Sequence, residues 1–383
     1  MDFKGVLMLS DSFFPVVGGR EVVIDSLMRE YCGMGVYSVL GTTTFGKYPT
    51  FDDASLPYKV IRSKGFSLTK NEVLARLNRK FKRQIEDEII SGRVDVIHVQ
   101  TKFKMCKYAL KLKKKYGIKV VASCHTDYRN VYRKTIKIPV ISKVLIGRIK
   151  RLMNKVDRVV TVSNYMKNEL EQMGVKREII VIPNGNRMAN FTPKSDKIID
   201  VNKRYGWSED DNILVFVGRV TADKSIDVVL ESFAKTKTAS KLAVIGSGDI
   251  NSIRDKARRL NIDKRCQFLG EITNVDELSA IISRASIQVF PSKLESFGMT
   301  VRECGALSTP SIVTKGIATA EPIKDGFNGF ISDGTPEDIA RIIDEVLSDK
   351  IVLANIGENA KRTMSTSWRE VAEKVVDVYK QNC

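Results

Sequence analysis

The stretch Pro291-Ser292-Lys293-Leu294-Glu295-Ser296-Phe297-Gly298-Met299-Thr300-Val301-Arg302-Glu303 decides the fold that we predict for this chain. It follows the apolar run Ile287–Phe290, so we interpret it as a strand, a loop with Glu295, and a helix that carries Glu303. Gly298 allows the backbone between the two carboxylates to approach a ligand closely. The carboxylates lie about 10 Å apart along such an element, and each can accept hydrogen bonds from hydroxyls of one elongated ligand.

The same strand-and-helix pattern extends over the whole chain and predicts an α/β protein with parallel sheets. A helix is expected over residues 71–90, from the spacing of Leu74, Leu77, Phe81 and Ile85. The predicted strands are 5–10, 37–41, 58–61, 94–99, 119–123, 158–162, 179–182, 213–218, 241–246, 266–269, 287–290, 311–314 and 329–332.

This pattern predicts two Rossmann-like domains. The first spans residues 1–190, and a C-terminal helix within 368–383 packs back onto it. The second spans residues 191–367. The polar segment 184–211 is the expected linker, since it opens with the turn pair Asn184-Gly185.

Composition excludes several classes of protein. The chain has 383 residues, of which 43% are hydrophobic, which is typical of folded globular domains. Its six cysteines are far apart and it has two histidines, so neither a disulfide scaffold nor a Cys/His zinc site is expected. The short N-terminal apolar run does not fit a signal peptide, and no run is long enough to span a membrane. We therefore expect a cytoplasmic protein.

Charge is distributed unevenly. The net charge is +18, yet residues 1–190 account for +19 and residues 191–383 for −1. Residues 101–155 hold 17 basic side chains and one acidic side chain, Asp127. Such a patch indicates an acidic partner for the first domain, although lysines that only solvate helices would give the same count.

Residues 140–156 combine this charge with an amphipathic helical pattern. A basic amphipathic helix can lie in the headgroup layer of an anionic membrane. Its apolar stripe could instead pack on the first sheet, and its lysines could hold an acidic polysaccharide. Tyrosines among the lysines of 101–155 also leave a nucleic-acid-binding protein open as an alternative.

Loops that follow strands are where α/β folds bind ligands. Gly18-Gly19 follows the first strand and permits close backbone approach. Arg219 and Lys224 follow the first strand of the second half, at a helix start, and could clamp a diphosphate. We expect both side chains to be exposed; a simple surface salt bridge to Asp223 is the alternative.

Together, the spacing of Glu295 and Glu303, Gly218-Arg219 followed by Lys224, Gly18-Gly19, and Ile182-Pro183-Asn184-Gly185 resembles the retaining GT-B glycosyltransferases of family four, the glycosyl transferases group 1. The resemblance implies two parallel-sheet domains that face each other across a cleft. It also implies transfer of a hexose from a nucleoside diphosphate sugar to an acceptor hydroxyl with retention of configuration.

The resemblance also implies residue roles. Glu295 would bind the donor sugar, Glu303 the ribose, and Arg219 with Lys224 the diphosphate. The backbone of Phe297, Gly298 and Met299 would contact the sugar, and Gly18 and Gly19 the donor phosphates. Ser123 to Asp127 resembles the histidine loop of the family, which makes His125 a catalytic candidate on the acceptor side. Two departures stand out: Ser225 replaces the usual glycine after Lys224, and Asn186-Arg187-Met188 replaces the usual Val-Asp.

The implied partners are a nucleoside diphosphate sugar and a glycan or membrane-lipid acceptor. No metal or other cofactor is expected. The enzyme would be cytoplasmic and peripheral at the inner face of the membrane, bound through its basic first domain. A GT-B nucleotide-sugar epimerase is the alternative enzyme, and such an enzyme would need no basic acceptor domain.

Overall fold

A computed structural model describes residues 3–16, 18–44, 51–67, 73–101, 103–136 and 138–381. The chain forms two compact units, one comprising Met1–Asn184 and Trp368–Cys383 and the other Gly185–Ser367. The boundary lies at 184/185 instead of 190/191. The reason is that Asn186 donates its side-chain amide to the Arg302 carbonyl (2.6 Å) and its backbone N–H to the Thr366 carbonyl (2.8 Å), both in the second unit.

The first unit contains a sheet of strand order β4-β3-β2-β1-β5-β6-β7-β8 in its described part. All neighbouring strands are parallel except β3 and β4, which are antiparallel. The central strand β1 is fully buried, as expected for a parallel sheet covered on both faces. The strands are β1 (Gly5–Leu9), β2 (Tyr37–Thr44), β3 (Lys59–Ser67), β4 (Val73–Arg76), β5 (Val96–Val99), β6 (Lys119–Cys124), β7 (Arg158–Thr161) and β8 (Ile179–Val181).

Helices connect these strands, and side-chain caps fix several of their starts. Asp127 accepts a hydrogen bond from the Asn130 N–H (3.0 Å) and begins α4, and Ser163 caps α6 in the same way. The C-terminal helix α14 (Trp368–Lys380) packs against α1 in this unit. The other helices are α1 (Gly19–Gly33), α2 (Arg79–Ile90), α3 (Lys104–Tyr116), α4 (Tyr128–Thr135), α5 (Pro139–Met153) and α6 (Asn164–Gln172).

The second unit has a parallel sheet of order β11-β10-β9-β12-β13-β14. Order reverses next to β9, so the carboxyl ends of β9 and β12 form the switch point at which such folds bind ligands. Its elements are α7 (Ser195–Tyr205), β9 (Ile213–Val217), α8 (Ile226–Lys235), β10 (Lys241–Ile245), α9 (Ile250–Arg259), β11 (Cys266–Gly270), α10 (Val275–Arg284), β12 (Ile287–Phe290), α11 (Met299–Ala306), β13 (Ser311–Thr314), β14 (Phe330–Ser332), α12 (Pro336–Leu347) and α13 (Lys350–Met364).

Every strand expected from the sequence overlaps an observed strand, but two other expectations were wrong. The helix predicted over 71–90 begins at Arg79, because the Asn78 side chain caps it by accepting the Phe81 N–H at 2.8 Å. Residues before it form the antiparallel strand β4, and positions 71 and 72 lie outside the described residues.

The linker expected over 184–211 also proved wrong. It contains helix α7, which packs on α10 and buries Val201. Trp207 follows α7 and is buried in the same core. The segment is thus part of the second unit. Among the described residues, no helix has both the length and the apolar character needed to cross a bilayer.

Candidate functional site

Two loops of the second unit lie side by side because they follow the adjacent strands β9 and β12. The Asp223 carbonyl accepts a hydrogen bond from the Ser292 hydroxyl at 3.1 Å and from the Lys293 N–H at 3.3 Å. These bonds fix the loop that carries Arg219 and Lys224 against the loop that carries Glu295.

Lys224 forms an ion pair with Glu295 across these two loops. The exposed fractions of their side chains are 11% and 17%, so the expectation that Lys224 is exposed was wrong. Its ammonium group lies against the second loop, where it also donates to the Leu294 carbonyl at 3.5 Å, whereas the Arg219 side chain is 63% exposed. The structure therefore places the candidate sugar-binding carboxylate directly beside a candidate diphosphate-binding cation.

Asp223 lies beside both cations, at 3.7 Å from Arg219 and 3.8 Å from Lys224. Burial acts to raise the pKa of Asp223, but the Thr221 hydrogen bond and the two positive charges outweigh it, so its pKa is lowered. The salt bridge considered as an alternative role for these cations is thus present. An incoming diphosphate would compete with Asp223 for Arg219, the more exposed of the two.

The start of α11 supplies backbone donors next to these side chains. Gly298 has φ +78°, and an added Cβ would lie 2.5 Å from the Thr319 Cγ2 atom, so only glycine fits there. The first N–H groups of α11 have no partner within the helix and can bind oxygen atoms of a ligand. Phe297 is buried beneath the Arg302 guanidinium, 3.9 Å from its ring centroid, which leaves the backbone of this loop as the contact surface.

Glu303 lies one turn into α11 and is 5% exposed. Arg187 donates a hydrogen bond from Nε to its Oε1 at 2.7 Å. Burial raises the pKa of Glu303, opposed by the charge of Arg187. The departure from the family pattern at Arg187 thus supplies the counter-ion of the candidate ribose-binding residue, and this partner was not identified from the sequence.

In the first unit, Gly18 is the N-cap of α1 and Gly19 is its first residue. Glu21, buried just inside this helix, accepts a hydrogen bond from the Arg20 guanidinium at 2.9 Å. A Cβ at position 18 would lie 2.8 Å from a Glu21 carboxylate oxygen, so a larger residue there would require this carboxylate to move. Glu21 also neutralises Arg20 at this helix start.

His125 follows β6 and is held by Gln100, which follows β5. The Nε2 atom of His125 lies 2.6 Å from the Gln100 Oε1 atom, and a carbonyl oxygen can only accept, so His125 carries its proton on Nε2. Burial, with a smaller effect of Arg20, lowers the pKa of His125 to about 4. It is therefore neutral near pH 7, and its buried Nδ1 atom has no partner among the described residues.

Gln100 also contacts His98, which lies at the centre of a buried polar network. The His98 Nε2 atom lies 2.7 Å from the Ser123 hydroxyl, and Nδ1 bonds the Tyr379 hydroxyl on α14. Burial lowers the pKa of His98 to about 3. The sequence did not identify Gln100, although a polar residue directly after a buried strand is a usable signal.

No group of three or more His, Cys, Asp or Glu is placed to hold a metal ion in the described part of the chain. The candidate residues fall into three clusters. Arg219, Lys224 and Glu295 lie together. Phe297 to Glu303 form the loop before α11 and its first turn, and Gly18, Gly19 and His125 follow strands of the first unit.

Comparisons with known proteins agree with this architecture. Residues 17–186 match the family model for Glycosyltransferase Family 4, and residues 198–363 match that for Glycosyl transferases group 1. An alpha-monoglucosyldiacylglycerol synthase of Acholeplasma laidlawii is 23% identical over 96% of this chain and 94% of its own length. An N-acetyl-alpha-D-glucosaminyl L-malate synthase of Bacillus anthracis is 27% identical over 97% and 95%.

Solved structures share the fold over the full length. HepE of Anabaena, in complex with UDP and glucose, superposes with a TM-score of 0.78 at 18% identity, covering 99% of this chain and all of that chain. The structural neighbours of this chain are GT-B glycosyltransferases. Since the two family models cover most of both units, the chain belongs to glycosyltransferase family four, the glycosyl transferases group 1.

Proposed function

We propose that this protein transfers a hexose from a nucleoside diphosphate sugar to a hydroxyl of a lipid or lipid-linked acceptor, with retention of the anomeric configuration. The observation that carries the proposal is the ion pair of Lys224 with Glu295 beside the first N–H groups of α11, which have no acceptor among the described residues. It combines positive charge, a carboxylate and a helix N-terminus at the switch point of a parallel sheet.

Arg219 and Lys224 would stabilise the diphosphate as it departs. Electrostatic groups that are already in place contribute most when charge develops on the leaving group. Lys224 is held by Glu295 and Asp223, so little reorganisation is needed at the moment of bond cleavage. We propose that these cations do the work that a metal does elsewhere, and that transfer requires no metal.

Glu295 would accept hydrogen bonds from hydroxyls of the donor sugar and orient its ring. In a front-face reaction the bond from the anomeric carbon to the diphosphate oxygen breaks. The acceptor oxygen then attacks from the same face, and its proton passes to the leaving phosphate. Such a step needs no protein nucleophile, and the short-lived oxocarbenium ion would lie next to the Glu295 carboxylate.

Glu303 would hold the ribose hydroxyls through the carboxylate oxygen that Arg187 does not bind. Because Arg187 occupies Oε1, it orients the carboxylate and limits its protonation. Arg187 is thus a positioning residue in this proposal.

His125 would act on the acceptor side in the first unit. It is neutral, so it cannot stabilise an anion by charge, but the unpartnered Nδ1 atom can accept a hydrogen bond from an acceptor hydroxyl. Gln100 fixes the tautomer that leaves this atom free to accept.

A lipid acceptor is supported by the relatives, which include two alpha-monoglucosyldiacylglycerol synthases. The basic first unit is compatible with such an acceptor. We propose this unit as the acceptor side and the second unit as the donor side.

A panel of nucleoside diphosphate sugars, assayed for nucleoside diphosphate release with and without diacylglycerol-type acceptors, tests the proposal. Release that depends on acceptor, insensitivity to EDTA, and a product whose anomeric proton coupling matches that of the donor are expected. Product formed without any acceptor would indicate an epimerase, and an inverted anomer would contradict the retaining mechanism.

A further inference from the structure

The two halves of helix α5 are packed differently. Its C-terminal half buries Ile149, Leu152 and Met153, as expected for a helix that packs on the sheet. Its N-terminal half does not pack in this way. The exposed fractions of its apolar side chains are 68% for Val140, 46% for Ile141 and 49% for Val144, and that of Ile138, the N-cap, is 56%. The apolar stripe expected over 140–156 is therefore half buried and half exposed.

One face of α5 lines an open cavity of about 470 Å³, which is also lined by residues of α4 and of the end of α6. Four basic side chains line this cavity: Arg129, Arg133, Lys143 and Lys150. Arg129 pairs with Glu169 at 3.4 Å. Among the described residues, no carboxylate lies within ion-pair distance of Lys143 or Lys150.

A buried hydroxyl lines the same cavity. Ser142 is 4% exposed, and its Oγ atom has no hydrogen-bond partner in the described structure. A buried hydroxyl without a partner is energetically costly, so a ligand oxygen that reached it would stabilise it. Apolar walls from Ile136, Ile146 and Met173 complete the cavity.

We propose that this cavity binds the phosphate headgroup of an acidic glycerophospholipid in a bilayer, while Val140 and Val144 enter the acyl layer. Uncompensated cations and an unpartnered hydroxyl fit a phosphate, since phosphate oxygens accept several charge-assisted hydrogen bonds. The exposed apolar turn on the next face of the same helix fits the tails of that lipid. This site is separate from sugar transfer and is tested without it.

Gly147 allows a test that leaves the charge unchanged. It lies on the cavity face of α5, and an added Cβ would meet nothing within 4 Å. Gly147→Leu should therefore fold and fill the cavity, and Gly147→Ala is the matched control that leaves the cavity largely open. Both substitutions also favour the helix, because glycine is a poor helix former.

The measurement is sedimentation with vesicles of phosphatidylcholine alone or mixed with phosphatidylglycerol. Wild type and Gly147→Ala should bind only the mixed vesicles, and Gly147→Leu should lose most of this binding. Lys143→Ala with Lys150→Ala should lower vesicle affinity roughly 30-fold, since each engaged lysine is worth about fivefold. Lys111→Ala with Lys114→Ala removes the same charge from α3 and should cost clearly less.

Three outcomes would overturn the proposal. These are unchanged binding of Gly147→Leu, equal binding to both kinds of vesicle, and an absence of binding to either. Saturable binding of soluble alginate that Gly147→Leu abolishes, in a protein that does not bind vesicles, would assign the cavity to an acidic polysaccharide instead.

Discussion

In the second unit the charged candidate residues Lys224, Glu295 and Glu303 have ion-pair partners, whereas around α5 in the first unit two lysines have no acidic partner among the described residues. Lys224 pairs with Glu295, and Glu303 with Arg187. Around α5, by contrast, Lys143 and Lys150 face a cavity without a carboxylate in ion-pair reach among the described residues.

This difference separates two kinds of anion recognition. Paired charges are held in one geometry and can act on a specific reacting group, as catalysis requires. Unpaired surface cations provide attraction that depends on salt and tolerates many anions. This contrast supports our proposals that the second unit binds the donor and that the first unit attracts an anionic lipid.

The largest expected effect on activity is at Lys224. Lys224→Gln should lower kcat about 10²-fold or more, because it removes charge that stabilises the leaving diphosphate while keeping a donor for Glu295. Arg219→Gln should have an effect in the same direction. Lys293→Gln is the control, since this exposed lysine lies on the same pair of loops. Full activity of a Lys224→Gln/Arg219→Gln variant with saturating donor would show that other groups bind the diphosphate.

A smaller effect is expected at Glu303. Glu303→Ala should weaken nucleoside diphosphate binding by roughly 1.5 to 3 kcal/mol, as expected for hydrogen bonds to a charged group. Calorimetry measures this directly, and Glu271→Ala, at an exposed acidic residue of the same unit, is the control. Equal affinity of the Glu303→Ala variant and wild type would remove the ribose assignment.

Lowering the pH should reduce the stability of the first unit more than that of the second. His98 and His125 have pKa values lowered from 6.5 to about 3 and about 4. Below pH 6.5 the unfolded chain therefore binds more protons than the folded chain. The contribution of the two buried histidines to stability is complete above pH 6.5 and decreases as the pH falls toward 4. Each unit of pKa difference corresponds to about 1.4 kcal/mol.

The two tryptophans report on the units separately. Trp368 is in the first unit and Trp207 in the second, so Trp207→Phe and Trp368→Phe variants each leave one reporter. Urea midpoints from Trp368 fluorescence should fall between pH 6.5 and 4, and those from Trp207 should not, because the second unit has no histidine. Parallel decreases in both would contradict the assignment of acid sensitivity to the buried histidines.

The smallest effect concerns Ser225, which replaces the usual glycine. It has φ +55° and a buried hydroxyl without a partner among the described residues. Ser225→Gly should raise the free energy of unfolding by about 1 kcal/mol, because left-handed backbone is unfavourable for residues with a Cβ. Ser225→Ala keeps that backbone cost and is the control. If both variants gain equally, the hydroxyl and not the backbone accounts for the effect.

Most strands could be predicted from the sequence because buried parallel strands are continuous apolar runs bounded by polar loops. Helix starts were harder to predict. Leu74 and Leu77 continue the apolar spacing of Phe81 and Ile85, and only the Asn78 cap shows that the helix begins at Arg79. Likewise, the spacing over 140–156 predicts an amphipathic helix but does not determine which turns the rest of the unit covers.

The candidate site residues could be predicted from motifs in the sequence, but their ion-pair and hydrogen-bond partners could not be predicted. Glu303 and Arg187 are 116 residues apart in the chain, and Lys224 and Glu295 are 71 apart. Which charges meet depends on how neighbouring strands bring their loops together, and local spacing holds no information on this. Gln100 had a local signal, its position directly after β5, but its contact with His125 depends on the adjacency of β5 and β6.

Hydrogen–deuterium exchange with UDP and GDP tests most directly the claim that the second unit binds the donor. We predict that one of the two nucleotides slows exchange in residues 218–226 and 295–303, and that this protection is reduced in Glu303→Ala. Protection confined to α4 and α5 of the first unit, or no protection by either nucleotide, would contradict the account.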